Sequence, residues 1–456
     1  MKVASTLNIC LVIGLSVCLQ SCKKDGSLTS SGVDIIATTG DEKYLNLGSE
    51  LIFDGSQLHT FEINLPKGAL AYLDADPTRE EYVEGSLTFD GETISPVKIR
   101  YKGSVGAWVD GVSGEDLFNP SGRKTATKLS VKVNFNWDGN GRKFYGLNKL
   151  QLHSQNNDPS QMRDRLGYWL YGQMGVPAPR SVHARVVING EYYGVYALIE
   201  QIDEAFVAHN FSDGSGNIYK EIWPIDENGK AREACDFLRN LKTNTSGIPN
   251  ANMMTGFAEA IEASDSEDNL KQQIEDYMNI DKIIAYAVVD YSIRNDDGAF
   301  HWYCDETGCG NHNFYWYEEP ATGKIHLIPW DLDNAFENII KEANPVTPIA
   351  DKWGETTNGC GAFPYGDWDI YQKSAACDKL IGGWALYTDK FNELKSNLIN
   401  GPFSFGEANS KIDEWADQIR NATQEASELH SDAISIEEWE SAIMNLKAQL
   451  AHARIE

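Results

Sequence analysis

Residues 290–336 read DYSIRNDDGAFHWYCDETGCGNHNFYWYEEPATGKIHLIPWDLDNAF. Within them the apolar runs NFYWY (313–317) and KIHLIPW (324–330) flank EEPATG, whose proline and glycine supply a turn, so a β-hairpin is expected. The run IDKIIAYAVVDYSIR (280–294) just before has the length and character of a helix. Asp331 and Asp333 follow the second strand at a spacing of i, i+2. Two carboxylates leaving a strand end can share a hard divalent cation, which takes few protein oxygens and completes its shell with substrate phosphate. Asp296 and Asp297 fall on the loop between helix and hairpin, and Asn313 opens the first strand. A loop Asp to orient an attacking hydroxyl, with an Asn and a strand-end Asp to hold metal, are the parts a phosphoryl-transfer site requires. Asp and Asn also dominate ordinary turns, so the pattern by itself leaves a purely structural reading open.

Upstream, NMMTGFAEAIEAS and NLKQQIEDYM read as helices opening a helical carboxyl lobe. SVHARVVING (181–190) and EYYGVYALIEQID (191–203) make a second hairpin around Asn189-Gly190, with Glu200 at its end where a cleft lining would start. In NDPSQMRDRLGYWLYGQMGVP (157–177), Asp158 reads as an N-cap with Pro159 at the first helical position. Met162, Leu166, Trp169 and Leu170 give that helix an apolar face, and Gly175 and Pro177 stop it. Between residues 50 and 136 the runs LIFDG, HTFEINL, GSLTFDG, SPVKIRYKG and TKLSVKVNF predict mostly antiparallel strands. Lys98, Arg100 and Lys102 alternate on one of these, and Lys128 and Lys132 on another. Residues i and i+2 share a strand face, usually a solvated one, yet this concentration of cations stands out in an acidic chain. The loop 102–106 (KGSVG) offers backbone N–H groups to a phosphate. Residues 341–380 read as loop, with two cysteines and no evident chemistry.

At the amino terminus Lys2 precedes the apolar run ICLVIGLSVCL (9–19), too short to span a bilayer comfortably, so a cleaved signal is expected. The following LQSC resembles a bacterial lipobox, which would make Cys22 the lipidated first residue of the mature chain. Residues 23–40 are rich in Ser, Gly, Thr and Lys, as a flexible tether is. The remainder, 42% hydrophobic and 11% aromatic overall, can bury a large core, and the length allows up to about three domains. The net charge of −28 argues against nucleic acid and anionic membrane surfaces as partners, and favours cationic substrates. With Cys10 and Cys18 lost in the signal and Cys22 acylated, Cys235, Cys304, Cys309, Cys360 and Cys377 remain. Five cannot all pair, and Cys304 with Cys309, across a short loop containing a glycine, is the best candidate disulfide. Zinc competes weakly, since His301 and His312 match no familiar ligand spacing.

The run GLNKLQLHSQNNDPSQMRDRLGYWLYGQMGVPAPRSVHARVVINGEYYGVYALIEQID resembles the CotH family of spore-coat-type kinases, with its N/D-D-P-x-x-M/L-R helix, G-x-P-x-P-R corner and N-G-E-Y-x-G-V-Y-x-L-x-E-Q-I hairpin. IPWDLDNAF (328–336) is similar to its P-W-D-x-D motif, and VKIRYKGS (97–104) and KLSVKVNF (128–135) to its basic strands. The likeness covers about residues 50–340. The resemblance implies an α+β, atypical protein-kinase-like bilobal fold, with an antiparallel β-rich amino-terminal lobe and a mostly helical carboxyl lobe. It implies ATP and Mg²⁺ or Mn²⁺ as cofactors. By position it makes Asp297 the catalytic residue, with Asn313, Asp331 and Asp333 holding metal. Lys128 would reach the nucleotide phosphates with Arg100, Lys132 and Lys102 nearby, and Glu200 would lie beside the adenine. Three features depart from the family pattern: Asn295-Asp296-Asp297 makes Asp296 a competitor, residues 301–311 look inserted, and Leu129 replaces one of two paired lysines.

The expected organisation is a signal at 1–21, a tether at 22–45, an amino-terminal lobe at 46–204, a carboxyl lobe at 205–400 and a helical tail at 401–456. The expected activity is phosphoryl transfer to Ser or Thr of a protein by a secreted, lipid-anchored enzyme at the outer membrane or surface of a bacterial cell envelope. ATP is scarce there, so a catalytically inactive kinase-fold lipoprotein that binds a surface partner is an alternative. Transfer to a small molecule or glycan is another.

Overall fold

The computed structural model describes residues 48–340 and 352–455, apart from 105, 106, 109, 115, 117, 118, 140, 307, 338 and 366–369. The expected leader, the lipidation site Cys22 and the tether lie outside the described residues. The amino-terminal half is a barrel of β1 (His59–Asn64), β2 (Val83–Phe89), β3 (Glu92–Tyr101), β4 (Val131–Asn134), β5 (Lys149–His153), β6 (Ser181–Ile188) and β7 (Glu191–Ile199). Its order is β1-β2-β3-β4-β5-β7-β6, and the ring closes through a parallel β1–β6 pairing, the remaining pairs being antiparallel. Closure leaves no exposed edge, and one face of each strand fills the interior. Phe61, Phe89, Ile99, Val133, Leu150, Leu152, Val186 and Leu198 are among the residues packed there. The stretch 51–55, expected as a strand, is a series of turns. Its apolar side chains Ile52 and Phe53 join the barrel core instead of a ladder. The β6–β7 turn has Asn189 at φ 51° and Gly190 at φ 83°, the two left-handed positions that a two-residue hairpin turn requires.

Helix α1 (Ala69–Ala75) links β1 to β2, and α2 (Arg163–Gln173) links β5 to β6. Helix α2 begins later than its expected cap. Asp158 instead closes a local turn by accepting from the Ser160 amide at 2.9 Å, then reaches the Arg163 amide at 2.8 Å. It caps the helix from five residues away.

The carboxyl half comprises α3 (Glu204–Asn210), β8 (Ile218–Lys220), α4 (Ala234–Arg239), α5 (Asn252–Ala263), α6 (Glu267–Tyr277) and α7 (Ile280–Ile293). It continues through β9 (Trp302–Asp305), β10 (Gly308–Gly310), β11 (Phe314–Glu319), β12 (Lys324–Pro329), β13 (Phe363–Tyr365) and β14 (Ile370–Lys373). Helices α8 (Lys379–Ala385), α9 (Thr388–Asn400), α10 (Phe405–Leu429) and α11 (Ile436–Ala453) complete it. The fold is therefore α+β, a β-barrel lobe set against a mostly helical one. Strands β12, β11 and β8 form one small sheet, and β10, β9, β14 and β13 another. Within the stretch 301–311, β9 and β10 pair with each other as a hairpin, and β9 recruits β14 from the stretch expected to be loop. Cys304 and Cys309 are disulfide-bonded across that hairpin, and Cys360 and Cys377 form a second bridge. Cys235 is free.

The tail helices pack back onto the barrel. Arg185 of β6 pairs with Glu425 at 2.5 Å, the Tyr192 hydroxyl donates to the Ala422 carbonyl at 2.9 Å, and the Trp439 indole donates to the Ser160 carbonyl at 3.0 Å.

Candidate active site

Helix α7 is capped by Asn279, whose side chain accepts from the Lys282 amide, and it ends at Arg294 with φ 49°. The chain then turns sharply. The Asn295 side chain donates to Asp290 Oδ2 at 3.0 Å, and the Gly298 amide donates to the Asn295 carbonyl at 3.2 Å. A Cβ on Gly298 would lie 2.2 Å from Asn295 Nδ2, so glycine is required for this close return. The turn delivers Asp297 to the start of β11, where Asn313 Nδ2 donates to its Oδ2 at 2.8 Å and to its carbonyl at 3.0 Å. Asp296 is 5% exposed, and its carbonyl accepts from the Tyr303 hydroxyl of β9.

Asn313 and Asp331 both have φ 56°, a left-handed conformation uncommon for non-glycine residues. Side chains of α2 and the turn before it hold Asp331 and its neighbours in place. The Asp331 amide donates to the Tyr168 hydroxyl at 2.9 Å, and the Leu332 amide to Asp164 Oδ1 at 3.2 Å. Arg163 Nη1 donates to the Asp333 carbonyl at 2.9 Å and the Asn157 carbonyl at 3.2 Å, while Asn157 Nδ2 donates to Asp333 Oδ2 at 3.2 Å. Asn157 and Arg163 delimit the N/D-D-P-x-x-M/L-R motif but were assigned no role, and Asp164 and Tyr168 were not singled out by the sequence. The available signal was the buried face of this helix carrying Asp164 and Tyr168 at i, i+4 beside the apolar Leu166 and Leu170.

Negative charge is concentrated here. Burial, then Asp296, Asp331 and Asp333, push the Asp297 carboxyl well above the ordinary carboxylate range. Burial and Asp331 push Asp333 up to about 7. Burial also raises Asp331, although Lys102 and Lys220 oppose that rise. Among the described residues no three His, Cys, Asp or Glu side chains form a ready metal cage. Asp331 and Asp333, crowded and all-oxygen, nevertheless fit a hard cation that takes one or two carboxylates and completes its shell with phosphate.

The facing wall is the outer surface of the barrel. Register aligns Arg100, Lys132, Gln151 and Ile199 in one row across β3, β4, β5 and β7. Ile99, Val131, Val133, Leu150 and Leu152 take the alternate positions and face inward. In the next row Lys102 Nζ lies 2.7 Å from His153 Nε2 and 5.5 Å from the centre of the Trp330 ring. Burial lowers the Lys102 amine to about 8, with Asp331 the main group opposing the drop. Burial, together with Lys149, Lys102 and Arg100, lowers Lys132 to about 7. Arg100 pairs with Glu80 at 2.5 Å.

Two of the expected nucleotide ligands are engaged elsewhere. Lys128 Nζ donates to the Val195 carbonyl at 2.7 Å, and its charged neighbours are Asp158 and Asp432 rather than the cleft carboxylates. Glu200, fully buried, accepts from Arg180 Nη2 at 2.6 Å and Nε at 3.0 Å. The structure therefore brings together Asp297, Asn313, Asp331, Asp333 and Lys102, with Arg100 and Lys132 on the same barrel face as Lys102. Lys128 and Glu200 stay outside this group.

A family model described as CotH kinase protein matches residues 99–451. Inner spore coat protein H of Bacillus subtilis is 23% identical over 206 residues, 42% of this chain and 50% of that protein. Invasin CotH2 of Rhizopus delemar is 24% identical over 294 residues, 62% of this chain and 43% of its own length. The chain thus spans half or less of these relatives. Among solved structures, a Shewanella oneidensis HipA, HipB and operator DNA complex aligns at a TM-score of 0.28 and 12% identity, covering 80% of this chain and 74% of that one. The Helicobacter pylori proinflammatory kinase CtkA aligns at 0.24 and 9%, covering 73% and 96%.

Proposed function

The chain belongs to the CotH kinase protein family, and on that premise we propose that it transfers the γ-phosphoryl group of ATP to a Ser or Thr hydroxyl of a protein, with Mg²⁺ or Mn²⁺. The observation that carries this reading is the fixed Asp297–Asn313 pair, which shares its electrostatic field with Asp331 and Asp333. Asp297, braced by Asn313, orients the attacking hydroxyl and takes its proton. Lys102, Lys132 and Arg100 bind phosphate oxygens from the barrel side. Asp331 and Asp333 would hold the cation, which when bound neutralises charge developing on the transferred group. Most of the acceleration in such a site comes from positioning and charge neutralisation. The lipobox-like LQSC and relatives named as spore coat and invasin proteins support a secreted, lipid-anchored location at the cell envelope.

Calorimetry on the purified protein tests the reading directly. ATP binding should require Mg²⁺ or Mn²⁺ and disappear in Asp331→Ala. Asp297→Asn should retain binding while losing roughly 10²–10⁴-fold in turnover, and Asp296→Asn should retain both. Absence of metal-dependent nucleotide binding in the wild type would overturn the proposal.

A further inference from the structure

Strand β5 contributes three polar side chains to the outer barrel face, Lys149, Gln151 and His153, and no role has yet absorbed the last two. Gln151 is 2% exposed, and its Nε2 has no hydrogen-bond partner among the described residues. Buried amide donors are almost always satisfied, so an orphan on the lining of a cleft points to a group that arrives from outside. Its neighbour in the row is Lys132, followed by Arg100, so every charged group beside it in that row is cationic. An orphan amide donor beside Lys132 and Arg100 matches an oxyanion, and the carboxylate near this row, Glu80, is held by Arg100. His153 is 7% exposed, with Nε2 2.7 Å from Lys102 Nζ. A lysine ammonium can only donate, so the imidazole must accept and thereby fixes where Lys102 points. The role that a carboxylate partner often fills for such a lysine falls here to a neutral ring.

We propose that β5 is the third wall of the phosphate site, with Gln151 Nε2 donating directly to a phosphate oxygen of the nucleotide and His153 serving as the positioning residue for Lys102. This rests on the phosphotransferase reading above and extends it to residues no motif identified. It also explains why a buried row of a sheet keeps an amide where an apolar side chain would pack without penalty.

The test is titration of the full chain with Mn²⁺-ATP, inorganic triphosphate and adenosine, alongside thermal melting. Gln151→Leu keeps the volume and removes the donor. It should weaken ATP and triphosphate alike by roughly ten- to a hundredfold, as loss of a hydrogen bond to a charged group does. Adenosine binding should not change, and the ligand-free melting temperature should stay level or rise because the orphan donor is gone. A melting temperature that falls with affinity unchanged would show that Gln151 is structural and overturn its assignment. Weakened adenosine binding would place it at the base and overturn it equally. His153→Leu should raise KM for ATP and lower kcat, and His153→Gln, which restores an acceptor, should recover most of both. Equal loss in the two variants would overturn the positioning role. A wild type that binds no nucleotide sinks the underlying reading, whereas wild-type binding with Gln151→Leu indistinguishable from it sinks only this one.

Discussion

Arg100, Lys132 and Gln151 stand in one row because antiparallel register places them there, whereas Asp297, Asn313 and Asp331 are gathered from a loop and two strand ends. The barrel wall needs no unusual backbone to present its cations, since alternation on a closed ladder suffices. The opposite wall holds two non-glycine residues at φ 56°, each costing on the order of 1–3 kcal/mol. Bonds from Tyr168, Asp164 and Arg163 on α2 offset that strain. One wall is thus fixed by topology and the other by bracing, and substitutions should separate them.

The largest separation is expected within the barrel wall itself. Lys102 faces Asp331 across the cleft, while Lys128 is bonded to the Val195 carbonyl. Lys102→Met should lower kcat/KM by roughly 10²–10³-fold, the loss typical of a preorganised donor to developing charge, with little change in melting temperature. Lys128→Met should do the reverse, lowering stability because the Val195 carbonyl loses its donor. A larger catalytic loss in Lys128→Met would return the phosphate role to that residue and break the distinction drawn between them.

On the braced wall the informative change is Tyr168→Phe. It removes the acceptor for the Asp331 amide and leaves that N–H unpaired, which costs about 1–3 kcal/mol. The consequence should appear as weaker Mn²⁺-dependent binding as well as lower stability, because the freed loop carries Asp331 and Asp333, two of the three expected cation ligands. Urea unfolding and metal titration measure the two effects. Lost stability with unchanged metal dependence would mean that the left-handed turn holds without its brace.

Much of this was legible because it is local. Asn189-Gly190 announced its hairpin, and the apolar runs around EEPATG became β11 and β12. The run IDKIIAYAVVDYSIR became α7 to within one residue. What the sequence hid was non-local. The parallel β1–β6 closure joins residues more than a hundred positions apart. Glu200 does end its strand, but Arg180 on the neighbouring segment occupies its carboxylate. Lys128 belongs to a basic strand motif, and only the position of the Val195 carbonyl reveals where its amine goes. Gln151 and His153 lay unremarked in a run whose alternation looked like that of any half-buried strand.

The remaining comparison distinguishes the two walls by the sign of their pH dependence. Asp290 supports the loop carrying Asp297, accepting from Tyr171 at 2.9 Å and from Asn295 at 3.0 Å, and burial pushes its carboxyl up to about 7. As pH rises past the ordinary aspartate value the unfolded chain loses this proton first, so the folded state binds the excess proton and loses stability until about pH 7 is passed. Lys132 behaves oppositely. Its amine is lowered to about 7, so above that pH the unfolded chain holds the extra proton and stability rises toward the ordinary lysine value. Each group contributes about 1.4 kcal/mol per pH unit within its window. Asp290→Asn keeps an oxygen for both donors and should make the decline between about pH 5 and about pH 7 shallower, by the share Asp290 adds to that of Asp333, leaving the alkaline rise intact. Lys132→Met should remove the part of the rise that begins near pH 7, leaving the later part from Lys102 and Lys128 and leaving the decline. Denaturant unfolding from about pH 5 to about pH 10 reads both slopes in one series. If Asp290→Asn leaves the acidic slope unchanged, Asp290 is ionised in the folded protein, and the braced wall carries a charge beneath its loop that the burial of this carboxyl argues against.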